Sequence, residues 1–432
     1  MKNNHQISLN LNVRGLRQSA TLAIKDRCRE LRSRGEQVFD FGLGQSPFPV
    51  PPSVVEELRL HAPEKNYLPV RGLGTLREAV AEFHRRKDQL ETHSDFVLVG
   101  PGSKELMFLL QLVFYGEILL RTPCWVSYLP QARIIGRTIN FIPTSFHTEW
   151  KLTSELLLHT LKKANDDSRP RLLVMNYPMN PTGHTYSPAE LQELSVVARR
   201  FGLIVLSDEI YGQLHFSGEH VSIARFYPER TIVSSGLSKW CGAGGWRLGT
   251  FTFPKELDWL AEAMAAVASE TYTSVCTPIQ HAAVRAFECG DEIESYLLHA
   301  RRILTMIGHR CAHMLREAGI RLHDPKGAFY LFLDFTPLAE RLHRRGIRDG
   351  ATLCDRLLAE TGAALLPGSA FAREASELTA RLSYVDFDGA AALSASEAVT
   401  LDRDLPTEMI ERHAANVFRG VERIVEWVGR TE

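Results

Sequence analysis

Between residues 95 and 255 the chain alternates short, almost wholly apolar runs with stretches of helical periodicity, and that alternation restricts the architectures open to it. The runs are "DFVLVG" (95–100), "EILLRT" (117–122), "RLLVMNYP" (171–178), "LIVLSDEIY" (203–211), "TIVSSG" (231–236) and "LGTFTF" (248–253). Strands that are apolar at successive positions are covered on both faces, as in a parallel sheet with helices above and below. Helices of that kind are predicted in the gaps, where Leu106, Leu109, Leu110 and Val113, and again Leu191, Leu194 and Val197, recur at helical spacing. The expected class is α/β with a large central sheet.

Upstream, "TLREAVAEFHRR" (75–86) places Thr75 and Glu78 at capping-box spacing and Leu76, Ala79, Val80 and Phe83 on one face, which predicts a helix starting there. From about residue 310 onward helices mix with the strand candidates "AFYLFLDF" (328–335) and "ARLSYVDF" (380–387), so a smaller α+β domain is expected.

A length of 432 residues suggests two or three domains. The 50 Lys and Arg nearly cancel the 51 Asp and Glu, so nothing in the charge asks for nucleic acid or an anionic membrane as partner, and a small ligand is expected. Apolar runs such as "LMFLLQLVF" (106–114) are too short to span a bilayer, and "MKNNHQISLN" lacks the apolar core of a signal peptide; a cytoplasmic location is expected. The seven cysteines are scattered and never spaced as CxxC, which favours reduced, mostly buried thiols over a disulfide framework or a metal site. Cys241 is read as a packing residue rather than a nucleophile.

In open α/β sheets the ligand crevice lies beyond the carboxyl ends of the strands. After "VLVG" come Pro101, Gly102, Ser103 and Lys104 at the start of a helix, an anion site if the amides are free, or simply a Ser103 cap. After "LLVMNY" the turn "PMNPTG" (178–183) presents Asn180. Asp208 ends "LIVLS", with Tyr211 three residues on; a carboxylate there needs a cationic partner, a structural arginine or a ligand. Lys239 follows "TIVSSG" in the small-residue stretch "SSGLSKWCGAGGWRLG" (234–249), and Arg247 closes it. A partly desolvated lysine beside a second cation suits imine formation with a carbonyl. An aldehyde for the lysine, a ring nitrogen for a carboxylate, a phenolic oxygen for Asn and Tyr, and a phosphate for the helix terminus and arginine are united in pyridoxal phosphate.

Taken in order, "NPTG", "DEIY", "SK" followed eight residues on by "WRLG", "GAFYLF", "PGSAF" and "RLSY" resemble the class I/II aminotransferases, pyridoxal-phosphate enzymes of fold type I, over nearly the whole chain. The resemblance implies a large domain (46–305) with a mostly parallel seven-stranded sheet flanked by helices, a smaller α+β domain (306–432) and an N-terminal segment (1–45) joining the latter. It implies that Lys239 is the Schiff-base lysine, that Asp208 faces the pyridine nitrogen and that Asn180 and Tyr211 hold the phenolic oxygen. Arg247, Ser238, Gly102 and Ser103 would hold the phosphate, with Lys104 beside them at the cofactor, Trp125 in "TPCWVSY" would stack on the ring unless it is core packing, and Arg381, Gly44 and Asn180 would receive the substrate. Tyr67 in "NYLPVRGLGTLREAV" would reach the phosphate of a neighbouring subunit, implying a homodimer with shared sites. No metal is implied.

Two positions depart from the family pattern: Gly236 stands where a serine is usual, leaving Ser235 as a possible substitute, and "GQSPF" replaces "GEPDF". The implied activity is ping-pong transfer of an amino group from an L-amino acid to a 2-oxo acid, within amino-acid metabolism. "QSATLAI" (18–24) is similar to a segment of prokaryotic-type aspartate aminotransferases, so Ser19, Thr21 and Lys104 are candidates for a distal carboxylate, with a helix cap the other reading of Ser19; an acidic donor with 2-oxoglutarate is the leaning. A carbon–sulfur lyase or an amino-acid oxidase on the same fold is the alternative.

Overall fold

The computed structural model describes residues 8–163 and 169–430. Its strands, in chain order, are β1 (Phe39–Asp40), β2 (Val97–Gly100), β3 (Glu117–Thr122), β4 (Ile139–Pro143), β5 (Arg171–Asn176), β6 (Ile204–Asp208), β7 (Thr231–Gly236), β8 (Gly249–Thr252), β9 (Tyr330–Asp334), β10 (Ala363–Ala364), β11 (Leu366–Pro367) and β12 (Thr379–Ser383). Seven of them form one sheet in the order β2-β8-β7-β6-β5-β3-β4. The five from β4 to β7 run parallel, while β8 is antiparallel to both β7 and β2.

The apolar runs have the expected cause. Leu119, Leu173 and Val205 lie side by side in register and pack on Leu157 and Leu161 of helix Ser154–Lys163 and on Leu191 and Leu194 of helix Pro188–Arg200. Their neighbours Ile118, Leu120, Leu172, Val174, Ile204 and Leu206 face the other way, onto Leu106 and Leu110 of helix Ser103–Val113 and Leu260 and Met264 of helix Asp258–Thr271. Both faces are dry, so neither tolerates polar alternation. Within this seven-stranded sheet the one strand not predicted is β4, an edge strand that buries only Ile139 and Ile142 and carries no continuous apolar run.

The helix predicted at 75–86 spans Gly74–Asp88, without the capping box. The chain enters the helix two residues before the capping box requires, so Leu73 occupies the cap position and Thr75 lies within the first turn, while the Glu78 carboxylate is taken by Arg85 at 3.2 Å. In the C-terminal part, β12 pairs antiparallel with β9 and β11, and β1 from the N-terminal segment pairs in parallel with β10. No described helix is long and apolar enough to cross a membrane. The cysteines are free and, apart from Cys276, buried. Burial pushes the Cys241 thiol far above its ordinary value, which suits packing and not nucleophilic attack.

Candidate active site

The parallel strands all end at one edge of the sheet, and a cavity of about 490 Å³ opens there. It is lined by Gly44, Ser103, Lys104, Trp125, Asn180, Asp208, Tyr211, Ser238, Lys239, Arg247 and Arg381, residues drawn from positions 44 to 381 and anticipated from the sequence.

Lys239, three residues beyond β7, sits in the wall with its Nζ donating to the Gly44 carbonyl at 2.5 Å and 5.6 Å from the centre of the Tyr211 ring. Withdrawal from water, reinforced by the Arg381 and Arg247 charges and opposed by Asp208, lowers its pKa to about 8. An amine so placed is partly neutral near physiological pH, the state needed to attack a carbonyl.

Asp208 ends β6 almost fully buried. Its Oδ2 accepts from the Tyr128 hydroxyl at 2.7 Å, while its Oδ1 has no hydrogen-bond partner among the described residues. Of the two partners open to Asp208, the structural arginine is not the one found: among the described residues no Lys or Arg forms an ion pair with it, and burial raises its pKa to about 6 against the hydrogen bonds from Tyr128 and the Ile210 amide. Glu209 next to it turns away and is consumed by His220 (2.7 Å), Ser207 (2.7 Å) and Ser222 (2.6 Å).

Asn176, the last residue of β5, donates from Nδ2 to the Asp208 carbonyl (3.0 Å) and accepts the Asn180 amide (2.8 Å), so the "NPTG" turn is tied to the end of β6. Asn180 Oδ1 in turn accepts from Arg381 Nη1 at 3.1 Å. Arg381 lies on β12, is 1% exposed, donates to the Gly42 carbonyl and stands 4.8 Å over the Tyr330 ring and 4.9 Å over Phe371. No described carboxylate pairs with it. A buried guanidinium without an anion is unfavourable, so this one is poised for a ligand carboxylate.

The opposite end is an anion cup. Gly102 is the cap residue of helix Ser103–Val113, with φ of +91° and no side-chain cap bond; Ser103 is the first helical residue and not the cap. A Cβ at Gly102 would run into the Arg247 guanidinium, so glycine there lets that side chain lie against the turn. Arg247 is held by Gly244 O (2.8 Å) and Pro101 O (3.4 Å). Gly236 also has a physical reason: a side chain there would meet the Leu248 carbonyl at 2.8 Å and Gly249 Cα at 2.9 Å. Ser235 pairs with Thr250 in the sheet and does not line the cavity, so the hydroxyls offered to the cup are those of Ser103 and Ser238.

Trp125 borders the cavity edge-on to Tyr128 (5.3 Å), with Lys104 Nζ 5.2 Å from its ring centre. Tyr211 exchanges a 2.7 Å hydrogen bond with Tyr330. Tyr67 is 86% exposed and does not reach this cavity. Ser19 occupies the cap position of helix Ala20–Ser33, but its hydroxyl bonds Thr21 (2.9 Å), and Thr21 lines the cavity while Ser19 does not. Sequence reasoning missed Tyr128, Tyr330, Asn176 and Lys25: tyrosines inside apolar runs read as core, and an asparagine ending a strand reads as a turn.

Pyridoxal phosphate fits these residues on three observations: the orphaned Asp208 Oδ1 asks for an N–H, the Gly102–Arg247 cup asks for a phosphate, and the Lys239 amine is set between them. The model of the family "Aminotransferase class I and II" matches residues 36–388. An aspartate/prephenate aminotransferase of Thermus thermophilus is 31% identical over 369 residues, 84% of this chain and 91% of that one, and an aspartate aminotransferase of a Bacillus species (strain YM-2) is 30% identical over 382 residues, 86% and 93%. The solved Thermus thermophilus aspartate aminotransferase with maleate superposes with a TM-score of 0.81 at 28% identity, covering 97% of this chain and 99% of that chain. The chain belongs to the class I and II aminotransferases, enzymes of fold type I that work with pyridoxal phosphate.

Proposed function

We propose that this aminotransferase acts on acidic amino acids, aspartate or glutamate, with a 2-oxo dicarboxylic acid such as 2-oxoglutarate as acceptor. The observation that carries the reading is charge. Lys25, Lys104, Lys239, Arg247 and Arg381 line the cavity against the single carboxylate of Asp208. A cofactor phosphate and one α-carboxylate leave positive charge over, and a distal carboxylate takes it up. The names of the relatives, aspartate and aspartate/prephenate aminotransferase, and a neighbour solved with the dicarboxylate maleate, point the same way.

In this reading Gly102, Ser103, Ser238 and Arg247 hold the phosphate, Trp125 covers the ring, Asn180 and Tyr211 hold its phenolic oxygen, and Asp208 Oδ1 accepts the ring N–H. The cofactor supplies an aldehyde for amines and an electron sink for the bond broken at the substrate α-carbon. Arg381 binds the α-carboxylate bidentately, with Asn180 fixing one edge of the guanidinium, and Gly44 closes the other side. Lys239 Nζ then takes the α-proton and delivers it elsewhere on the bound molecule, for which a pKa near 8 is suited. Residues 46–305 form the cofactor-binding unit, with 1–45 and 306–432 bringing Gly44 and Arg381 to it. The working enzyme is a cytoplasmic homodimer in which exposed Tyr67 serves the neighbouring site.

The test is to mix the purified holoenzyme with aspartate alone. Stoichiometric oxaloacetate, with further turnover only when 2-oxoglutarate is added, supports the reading. Catalytic pyruvate and ammonia from a β-substituted amino acid would indicate a lyase, hydrogen peroxide an oxidase, and indifference to the distal carboxylate would refute the acidic-substrate assignment.

A further inference from the structure

Lys25 lies on helix Ala20–Ser33, one turn after Thr21, so both project from one face, and Thr21, Leu22 and Lys25 together line the cavity. The residue is only partly exposed and forms no ion pair with any described residue. The acid beside it, Asp26, is occupied by Gln18 (2.9 Å) and Arg29 (3.4 Å). Lys104, also on the cavity, has no described carboxylate partner either and faces the repulsion of Arg247. Two ammonium groups without counter-ions thus border one cavity, one carried by the N-terminal helix and one by the first turn of helix Ser103–Val113.

We propose that Lys25 is a specificity-determining residue: it supplies a second ammonium to the distal carboxylate of the substrate, so that selection of dicarboxylic over neutral amino acids depends on the N-terminal helix as well as on Lys104. This rests on the acidic-substrate reading above. Two separated cations hold one carboxylate through both oxygens, and a neutral side chain placed there leaves both desolvated and unpaired, so discrimination exceeds what either lysine alone provides.

The test compares wild type with Lys25→Arg, Lys25→Met and Lys25→Glu as holoenzymes. Two quantities are read: the ratio of kcat/KM for aspartate to that for phenylalanine, and the dissociation constant of maleate, a non-reacting dicarboxylate, by calorimetry. Loss of one charge-assisted contact predicts that Lys25→Met lowers the ratio and weakens maleate by about tenfold. Lys25→Arg keeps both within about threefold of wild type, and Lys25→Glu, which pairs with Lys104, falls below Lys25→Met. A ratio and maleate affinity in Lys25→Met within about twofold of wild type overturn the inference. A wild type that neither prefers aspartate nor binds maleate overturns the acidic-substrate reading itself, so the two failures are distinguishable.

Discussion

Asp208→Asn sets the demands of folding against those of catalysis in one measurement. In the apoprotein the carboxyl is 4% exposed, its Oδ1 has no partner, and burial raises its pKa from an ordinary 3.8 to about 6. A group whose pKa is higher in the folded state favours folding when protonated, and that contribution disappears as the pH climbs through the folded value. Keeping Asp208 ionised at pH 7 therefore costs the apoprotein about 3 kcal/mol, at roughly 1.4 kcal/mol per pH unit of displacement. Asn retains a partner for Tyr128 without the charge, so apo Asp208→Asn is expected to be more stable than wild type at pH 7 by about 1–3 kcal/mol. The advantage shrinks below pH 6 and is gone near pH 4, where both side chains are neutral. The assay is urea unfolding of the apoproteins at pH 7, 5.5 and 4, alongside turnover of the reconstituted enzymes, which should fall by at least about a hundredfold because an amide cannot stabilise a protonated ring nitrogen. A variant apoprotein less stable than wild type at pH 7, or a gap indifferent to pH, would refute the argument that this carboxylate is strained for want of a ligand.

Three further outcomes follow from the same geometry. Tyr128→Phe removes the donor that favours ionised Asp208, so in the apoprotein the Asp208 pKa rises further above 6 and the pH at which the associated loss of stability levels off moves up by about one unit, read by urea unfolding of the apoproteins across pH; an unmoved profile would disprove the link. Arg381→Lys replaces a planar fork by a point charge and should lower kcat/KM for all α-amino acids by about a hundredfold or more, measured against an amine substrate lacking the α-carboxylate, which should be far less affected. Gly102→Ala combines φ of +91° with a clash against Arg247 and should weaken cofactor affinity at least about tenfold in a titration of the apoprotein, whereas wild-type affinity would show that the cup is not the phosphate site.

Much of the site was legible because each strand of a parallel sheet stops abruptly, and the residue that breaks the apolar run stands out: Asp208 at the end of β6, Asn180 beyond β5, Lys239 beyond β7. Glycines were legible where their conformation is forced, as at Gly102. Residues whose role depends on a distant partner were not. Tyr128 carries no polar mark in its surroundings, yet it is the only described side chain hydrogen-bonded to the Asp208 carboxylate. Tyr330 sits within "AFYLFLDF" like any core aromatic, and its hydroxyl meets Tyr211, 119 positions away. The capping box at Thr75 failed because spacing alone does not say where the chain enters the helix or that Arg85 captures Glu78.

Local pattern therefore determined the α/β class, the strand ends and the chemical identity of the groups that gather there, since apolar runs, turn residues and glycine conformations are properties of neighbouring residues. The tertiary structure decided what those groups feel. The lowered pKa of Lys239, the raised one of Asp208, the unpaired guanidinium of Arg381 and the approach of Lys25 all arise from desolvation and from charges contributed by segments hundreds of residues apart, and electrostatic energies depend on distance in space and on exclusion of water.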